Sequence, residues 1–117
     1  MSSAVKEPQR GDVWTMNLDP TVGHEQAETR PAVVVSDNIF NDGPAGLVIV
    51  IPITSQQKRI RTHVEVCAPE GGLKLTSYIK CEDVRSVSKK RLIQRLGVLS
   101  TDTLSQAEDR LRILMGL

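Results

Sequence analysis

The chain has 117 residues, enough for one domain with a modest core but too few for two. Its formal net charge of +1 excludes a whole-molecule electrostatic argument for nucleic-acid binding, so any such argument must be local. No run approaches the roughly 18–20 apolar residues of a membrane span, and residues 1–9 lack the apolar stretch of a signal peptide. A cytoplasmic chain with no membrane partner is expected, with a flexible tail over 1–9 and one domain over 10–117.

Residues 11–18 alternate, with Val13, Thr15 and Asn17 on one face and Trp14, Met16 and Leu18 on the other. Period two predicts a half-buried strand, which Asp19-Pro20 breaks. Pro20 to Arg30 is a long polar stretch containing Gly23, and a loop of that length in a small domain usually carries function or disorder. Pro31 opens a second strand, Ala32 to Ser36, whose continuous β-branched residues predict burial on both faces. Asp37 to Gly46 reads as a turn-rich connector around Asn41-Asp42-Gly43-Pro44. Leu47 to Ile53 is the most apolar segment and the expected central strand, with Pro52 marking where pairing stops or where an N–H would face outward.

Beyond it, His63 to Cys67 alternates with Val64 and Val66 inward, Glu70-Gly71-Gly72 marks a turn, and Ser77–Cys81 and Asp83–Val87 read as short strands. Ser88 to Ile93 predicts one capped helical turn, and Gln94 to Leu99 a last strand weakened by Gly97. The C-terminus reads as an amphipathic helix: Ser100 is the N-cap, Leu104, Ala107, Leu111 and Leu114 share a face with Met115 beside them, and Arg110 and Arg112 suit the last turn. The sum is a small, mainly antiparallel barrel or half-barrel with one terminal helix.

Cys67 and Cys81 are the only cysteines, and without C-x-x-C spacing they read as reduced core residues. His24 and His63 are far apart in sequence and form no metal motif, so chemistry without a metal or other cofactor is expected. Basic residues cluster at Lys58, Arg59 and Arg61 and again at Lys89, Lys90, Arg91 and Arg95. The three aromatics, Trp14, Phe40 and Tyr78, are few for a base-stacking platform; if the chain reads nucleic acid, hydrogen bonds and phosphate contacts must carry most of the work. Trp14 reads as core or dimer interface.

An ordered set of short motifs resembles the MazF/PemK family of toxin endoribonucleases. It comprises Gly11-Asp12-Val13-Trp14, Leu18-Asp19-Pro20, Gly23-His24-Glu25-Gln26, Arg30-Pro31 with its apolar strand, Pro52-Ile53-Thr54-Ser55-Gln56, Thr62-His63-Val64-Glu65-Val66, and Val84-Arg85-Ser86-Val87 before Lys90-Arg91-Leu92. His24 stands where many relatives have serine. The resemblance implies an SH3-like barrel with an appended C-terminal helix, a homodimer with RNA across it, and a cognate MazE-like antitoxin with a flexible acidic tail. It also implies metal-independent, sequence-selective cleavage of single-stranded mRNA, leaving a 2′,3′-cyclic phosphate and a 5′-hydroxyl. By match, Arg30 and Thr54 take the catalytic positions, and Gly23, His24, Glu25, Gln26, Thr29, Ser55 and Gln56 would contact RNA. Lys58, Arg59, Arg61 and Glu82 are further RNA-binding candidates whose plain alternative is a solvated loop or turn.

That chemistry needs the ribose 2′-hydroxyl to attack the adjacent phosphorus. A guanidinium is always charged and can grip two phosphate oxygens, so Arg30 suits stabilisation of the developing charge. Pro31 biases Arg30 toward extended backbone. Thr54 is stiff at χ1, and from a strand end its hydroxyl could donate to a phosphate oxygen. Among nearby groups only His24 titrates near neutral pH; it reads either as general base or as a solvated loop histidine. Two other functions fit a small barrel: a gyrase poison like the CcdB toxins, whose C-terminal tryptophan this chain lacks, or a non-catalytic SH3-like binding module.

Overall fold

The most apolar segment becomes the hub. In the computed structural model, which describes residues 7–17 and 29–117, β3 (Leu47–Thr54) pairs along one edge with β2 (Thr29–Val34). Its other edge is shared: Leu47 to Val50 pair with β6 (Arg85–Ser88), and Ile53 and Thr54 pair with β5 (Ser77–Lys80). Pro52 sits where this pairing changes hands. The β2 ladder ends at Ala32↔Pro52, and on the opposite edge Pro52 lies between the two partners, where a missing N–H is tolerated. β1 (Asp12–Asn17) then joins β2 to β7 (Leu92–Val98), and β4 (His63–Val66) flanks β5, all antiparallel.

Period-two patterning sorts the apolar residues into two cores. One lies inside the ladder β7–β1–β2–β3–β6, whose ends are linked by the short Lys89–Arg91 turn; Trp14, Met16, Val34, Val50 and Val87 fill it. The other lies between the opposite face and the terminal helix α2 (Thr101–Met115), with Val13, Val33, Ile51, Ile53, Val64, Ile79 and Ala107. Each fully buried Val or Ile contributes roughly 1.5–3 kcal/mol relative to exposure. The architecture is the expected small SH3-like antiparallel barrel with a C-terminal helix. β1 is not half-buried, however: Val13 on one face and Trp14 and Met16 on the other are all buried, because a core lies on each side.

Other local expectations need adjustment. The 37–46 connector carries a one-turn helix, α1 (Asn38–Asn41), capped by the Asp37 side chain accepting from the Ile39 N–H. The Ser88 cap is real, but its turn is a 3-10 turn ending at Arg91, and Leu92 and Ile93 already belong to β7. Gly97 is no weakness in β7. A Cβ there would lie 2.7 Å from the Gly71 carbonyl carbon and 2.8 Å from the Gly72 nitrogen, so glycine lets the Glu70–Gly72 turn close onto the strand.

Ser100 caps α2 by accepting from the Thr103 N–H at 3.1 Å, and its own N–H donates to Glu70. The buried stripe stops at Leu111: Leu114 and Met115 are exposed, since the last turn lies outside the packed region. Cys81 is buried as expected, but Cys67, just past the end of edge strand β4, is exposed. Of the N-terminal segment, Pro8 is buried and the Gln9 N–H donates to Asp12. Among the described residues, no helix is long and apolar enough to cross a membrane.

Candidate active site

The residues proposed for catalysis meet at the end of the β2–β3 ladder. Ala32 faces Pro52 and Val33 faces Ile51; Arg30 and Thr54 each lie two residues beyond the last of these pairs, at the same end of the ladder. Both are partly exposed. Their face is the one that buries Ala32, Val34, Val48 and Val50, so they stand where that core opens to solvent. Met16 is Arg30's partner across β1, and Tyr78 is Thr54's partner across β5.

Thr54 has a defined local role. Its Oγ1 accepts the Gln56 N–H at 3.1 Å, which turns the chain out of β3 into the exposed 55–62 segment. With one lone pair so engaged, the hydroxyl hydrogen remains available for an acceptor. Arg30, Pro31 and Ser55 also line an open depression of about 620 Å³, whose polar wall includes Thr15, Lys74, Ser77 and Gln94. The sequence reading did not single out these four. They come from separate elements, and only the register that pairs Thr15 with Gln94 brings two of them together.

The remaining candidates divide. Thr29 is exposed at the start of β2, opposite Asn17, while Gly23, His24, Glu25 and Gln26 lie outside the described residues. Lys58, Arg59 and Arg61 are exposed on the segment after Thr54. Arg59 adopts φ 54°, which few non-glycine residues do, and the Arg61 carbonyl accepts from Arg110 Nε on α2 at 3.0 Å. Arg61 thus sits toward the helix. Glu82 accepts from the Thr62 hydroxyl at 2.6 Å and lies 2.8 Å from His63 Nε2. Burial acts to raise its pKa, but the hydrogen bonds from Thr62 and His63 outweigh burial and hold the carboxyl below its ordinary value. Glu82 also shares a smaller depression with Pro52, Lys80 and Arg85, adjoining the Arg30–Thr54 face through Pro52. It is exposed but held by these two hydrogen bonds.

A small antiparallel barrel with a C-terminal helix defines a class, and comparison with known proteins names it. Residues 9–115 match the family described as PemK-like, MazF-like toxin of type II toxin–antitoxin system, and the chain belongs to that family. It is 33% identical over 110 residues to endoribonuclease EndoA of Bacillus subtilis strain 168, covering 93% of this chain and 95% of that one. Among solved structures it resembles MazF of Deinococcus radiodurans with TM-score 0.81 and 29% identity, over 97% of this chain and all of the other. It resembles MazF in a MazE–MazF structure from the same organism with TM-score 0.83 and 29% identity, over 97% and 99% of the two chains.

Proposed function

We propose that this protein is the endoribonuclease toxin of a toxin–antitoxin pair. It cuts single-stranded mRNA at selected sequences and is silenced by a MazE-like antitoxin. It acts in the cytoplasm as a homodimer. The observation that supports the reading is that Arg30 and Thr54 lie at the same end of the β2–β3 ladder, both partly exposed, in a chain of this family. The similarity to EndoA and to MazF crystallised with MazE supports the activity and the partner.

In the proposed reaction the ribose 2′-oxygen forms a bond to phosphorus as the P–O5′ bond breaks. The 2′-hydroxyl gives up its proton and the departing 5′-oxygen gains one. The products are a 2′,3′-cyclic phosphate and a 5′-hydroxyl. Arg30 grips the non-bridging oxygens through its N–H fork, supplying the positive charge that a metal would otherwise supply. Thr54 donates its hydroxyl hydrogen to the same phosphate. A guanidinium is a poor proton carrier because it holds its charge throughout the ordinary pH range, so Arg30 acts as clamp. The 55–62 segment, with Ser55, Gln56, Lys58, Arg59 and Arg61, lies along the path of the strand, with Glu82 beyond it.

The test is incubation of a long RNA with the protein and with Arg30→Ala, both in excess EDTA, followed by end analysis. Cleavage by the unsubstituted protein alone, with cyclic-phosphate and 5′-hydroxyl ends, supports the reading. Purified protein that cuts no RNA of any sequence refutes it and directs attention to DNA gyrase, through a supercoiling assay.

A further inference from the structure

The cross-strand row that holds Thr54 continues beyond it. Thr54 pairs with Tyr78 on β5, and Tyr78 pairs in turn with Glu65 on β4. Thr54, Tyr78 and Glu65 therefore stand side by side across three neighbouring strands, each roughly 4.8 Å from the next, with Arg30 at the nearby end of the β2–β3 ladder. Ser77 and Ile79, the neighbours of Tyr78 along β5, are buried, so period two turns Tyr78 to the face opposite theirs, the one it shares with Thr54. Its ring is half-buried, and its hydroxyl has no hydrogen-bond partner among the described residues.

The other two aromatics cannot serve this face. Trp14 is 7% exposed inside the barrel, with its indole N–H donated to Asp12. Phe40 belongs to α1, ahead of the first residue of β3, whereas Thr54 is the last. The seven steps from Leu47 to Thr54 separate those ends by roughly 23 Å. Tyr78 is thus the one aromatic beside the proposed cleavage position.

We propose that Tyr78 is the base-stacking residue of this site, its ring taking the nucleobase next to the phosphate held by Arg30 and Thr54. The inference rests on the proposed endoribonuclease function. Every nucleobase offers a π-face, so stacking adds affinity without choosing the sequence, and selection is left to polar groups around it. A ring standing on a strand is already ordered, so little freedom is lost when a base settles on it. The competing role is structural: an aromatic can stabilise the sheet through its cross-strand neighbours alone.

The experiment uses a short RNA spanning a cleavage site mapped on a long transcript, with the nucleotide bearing the attacking hydroxyl replaced by its 2′-deoxy form so that it binds without being cut. Stacking predicts that Tyr78→Phe binds this RNA within about twofold of the unsubstituted protein, while Tyr78→Leu loses roughly 5- to 150-fold in affinity. Because the chain has one tyrosine, 3-fluorotyrosine labelling gives a single fluorine resonance. It should move upfield as RNA is added, a readout that needs no substitution. Undiminished binding by Tyr78→Leu, or a fluorine signal unmoved at saturating RNA, overturns the inference. So does a Tyr78→Phe protein that binds normally but no longer cuts, since the phenol would then be moving a proton. Unsubstituted protein that neither binds nor cuts RNA refutes the function itself and Tyr78's role with it, a pattern separable from failure of the tyrosine variants alone.

Discussion

His63 Nε2 lies 2.8 Å from Glu82 Oε2, tying the first residue of β4 to the turn after β5. The His63 side chain is only 4% exposed, and its Nδ1 is buried without a hydrogen-bond partner among the described residues. With Nε2–H donating, Glu82 anchors the end of the 55–62 segment through both oxygens, one to His63 and one to the Thr62 hydroxyl.

This pairing predicts an acid-sensitive contribution to stability. The folded-state pKa of Glu82 is lowered from its ordinary 4.5, so the stabilisation is fully present above that value and is lost as pH falls through the folded pKa. Glu82→Gln should therefore be less stable than the parent at pH 7, by at most about 1 kcal/mol because the carboxylate is partly exposed. The gap should close well below pH 4.5. Urea unfolding of both proteins across pH checks this; a gap independent of pH would show that the carboxylate charge is not what matters.

Arg30→Ala should lower single-turnover cleavage by roughly 10²–10³-fold, the usual loss when one preorganised donor is removed. Arg30→Lys keeps the charge but not the two-pronged geometry and should recover only part. Stability should change by no more than about 1 kcal/mol, because Arg30 is partly exposed at a strand end. Cleavage by Arg30→Ala within threefold of the parent would remove Arg30 from the mechanism.

The sequence was most legible where one periodicity had one cause. The β-branched run before Ser36 and the apolar run after Gly46 became β2 and β3, buried as expected, and Ser100 capped α2. Legibility failed where a third element intervened. Alternation around Trp14 suggests a half-buried strand because nothing local announces a core on each side of β1. The Leu104–Leu111 stripe does not say that packing stops before Leu114. Cys67 looks like a core residue until β4 is seen to be an edge strand. That Arg30 and Thr54 lie at the same end of the β2–β3 ladder depends on an antiparallel register, and family motifs could name the two residues without stating that register. Thr15, Lys74 and Gln94, brought beside Arg30 by separate elements, left no local signal.

Gly97→Ala should destabilise the protein well beyond the ordinary glycine-to-alanine effect. The added methyl would press into the backbone of Gly71 and Gly72, which cannot retreat because the same turn packs against Val13 and Leu99. Overpacking of this kind costs roughly 1–3 kcal/mol. Thermal and urea unfolding measure it, and a neutral result would mean that the 70–72 turn moves freely away from β7.

The two thiols should react very differently. Burial chiefly, and the charge of Glu82 next, push the Cys81 thiol up to about 11 despite the opposing charge of Arg110. At pH 8 its thiolate fraction is then about one in a thousand, and the sulfur is also enclosed. A small alkylating reagent should label Cys67 in the folded protein and Cys81 only after unfolding, as peptide mass spectrometry would show. Equal labelling rates in the native state would contradict the buried position of Cys81.

Thr54 offers the sharpest separation of hydroxyl from shape. Its Oγ1 already accepts the Gln56 N–H, so the hydrogen is oriented away from the backbone and free to reach a phosphate oxygen. Valine keeps the volume and the β-branch but leaves the Gln56 N–H without this acceptor and the phosphate without a donor. A hydrogen bond to a charged group contributes roughly 1.5–3 kcal/mol, so Thr54→Val should slow cleavage by about 10- to 150-fold. Serine restores the hydroxyl without the methyl and should recover most of the rate, held back only by its freer χ1. Gln56→Pro, which deletes the N–H and leaves Thr54 intact, should fall between them if the backbone bond orients the hydroxyl. Rates for the three variants on one mapped RNA decide the matter. Equal rates for serine and valine would mean that the hydroxyl takes no part, and that Thr54 serves only to end β3.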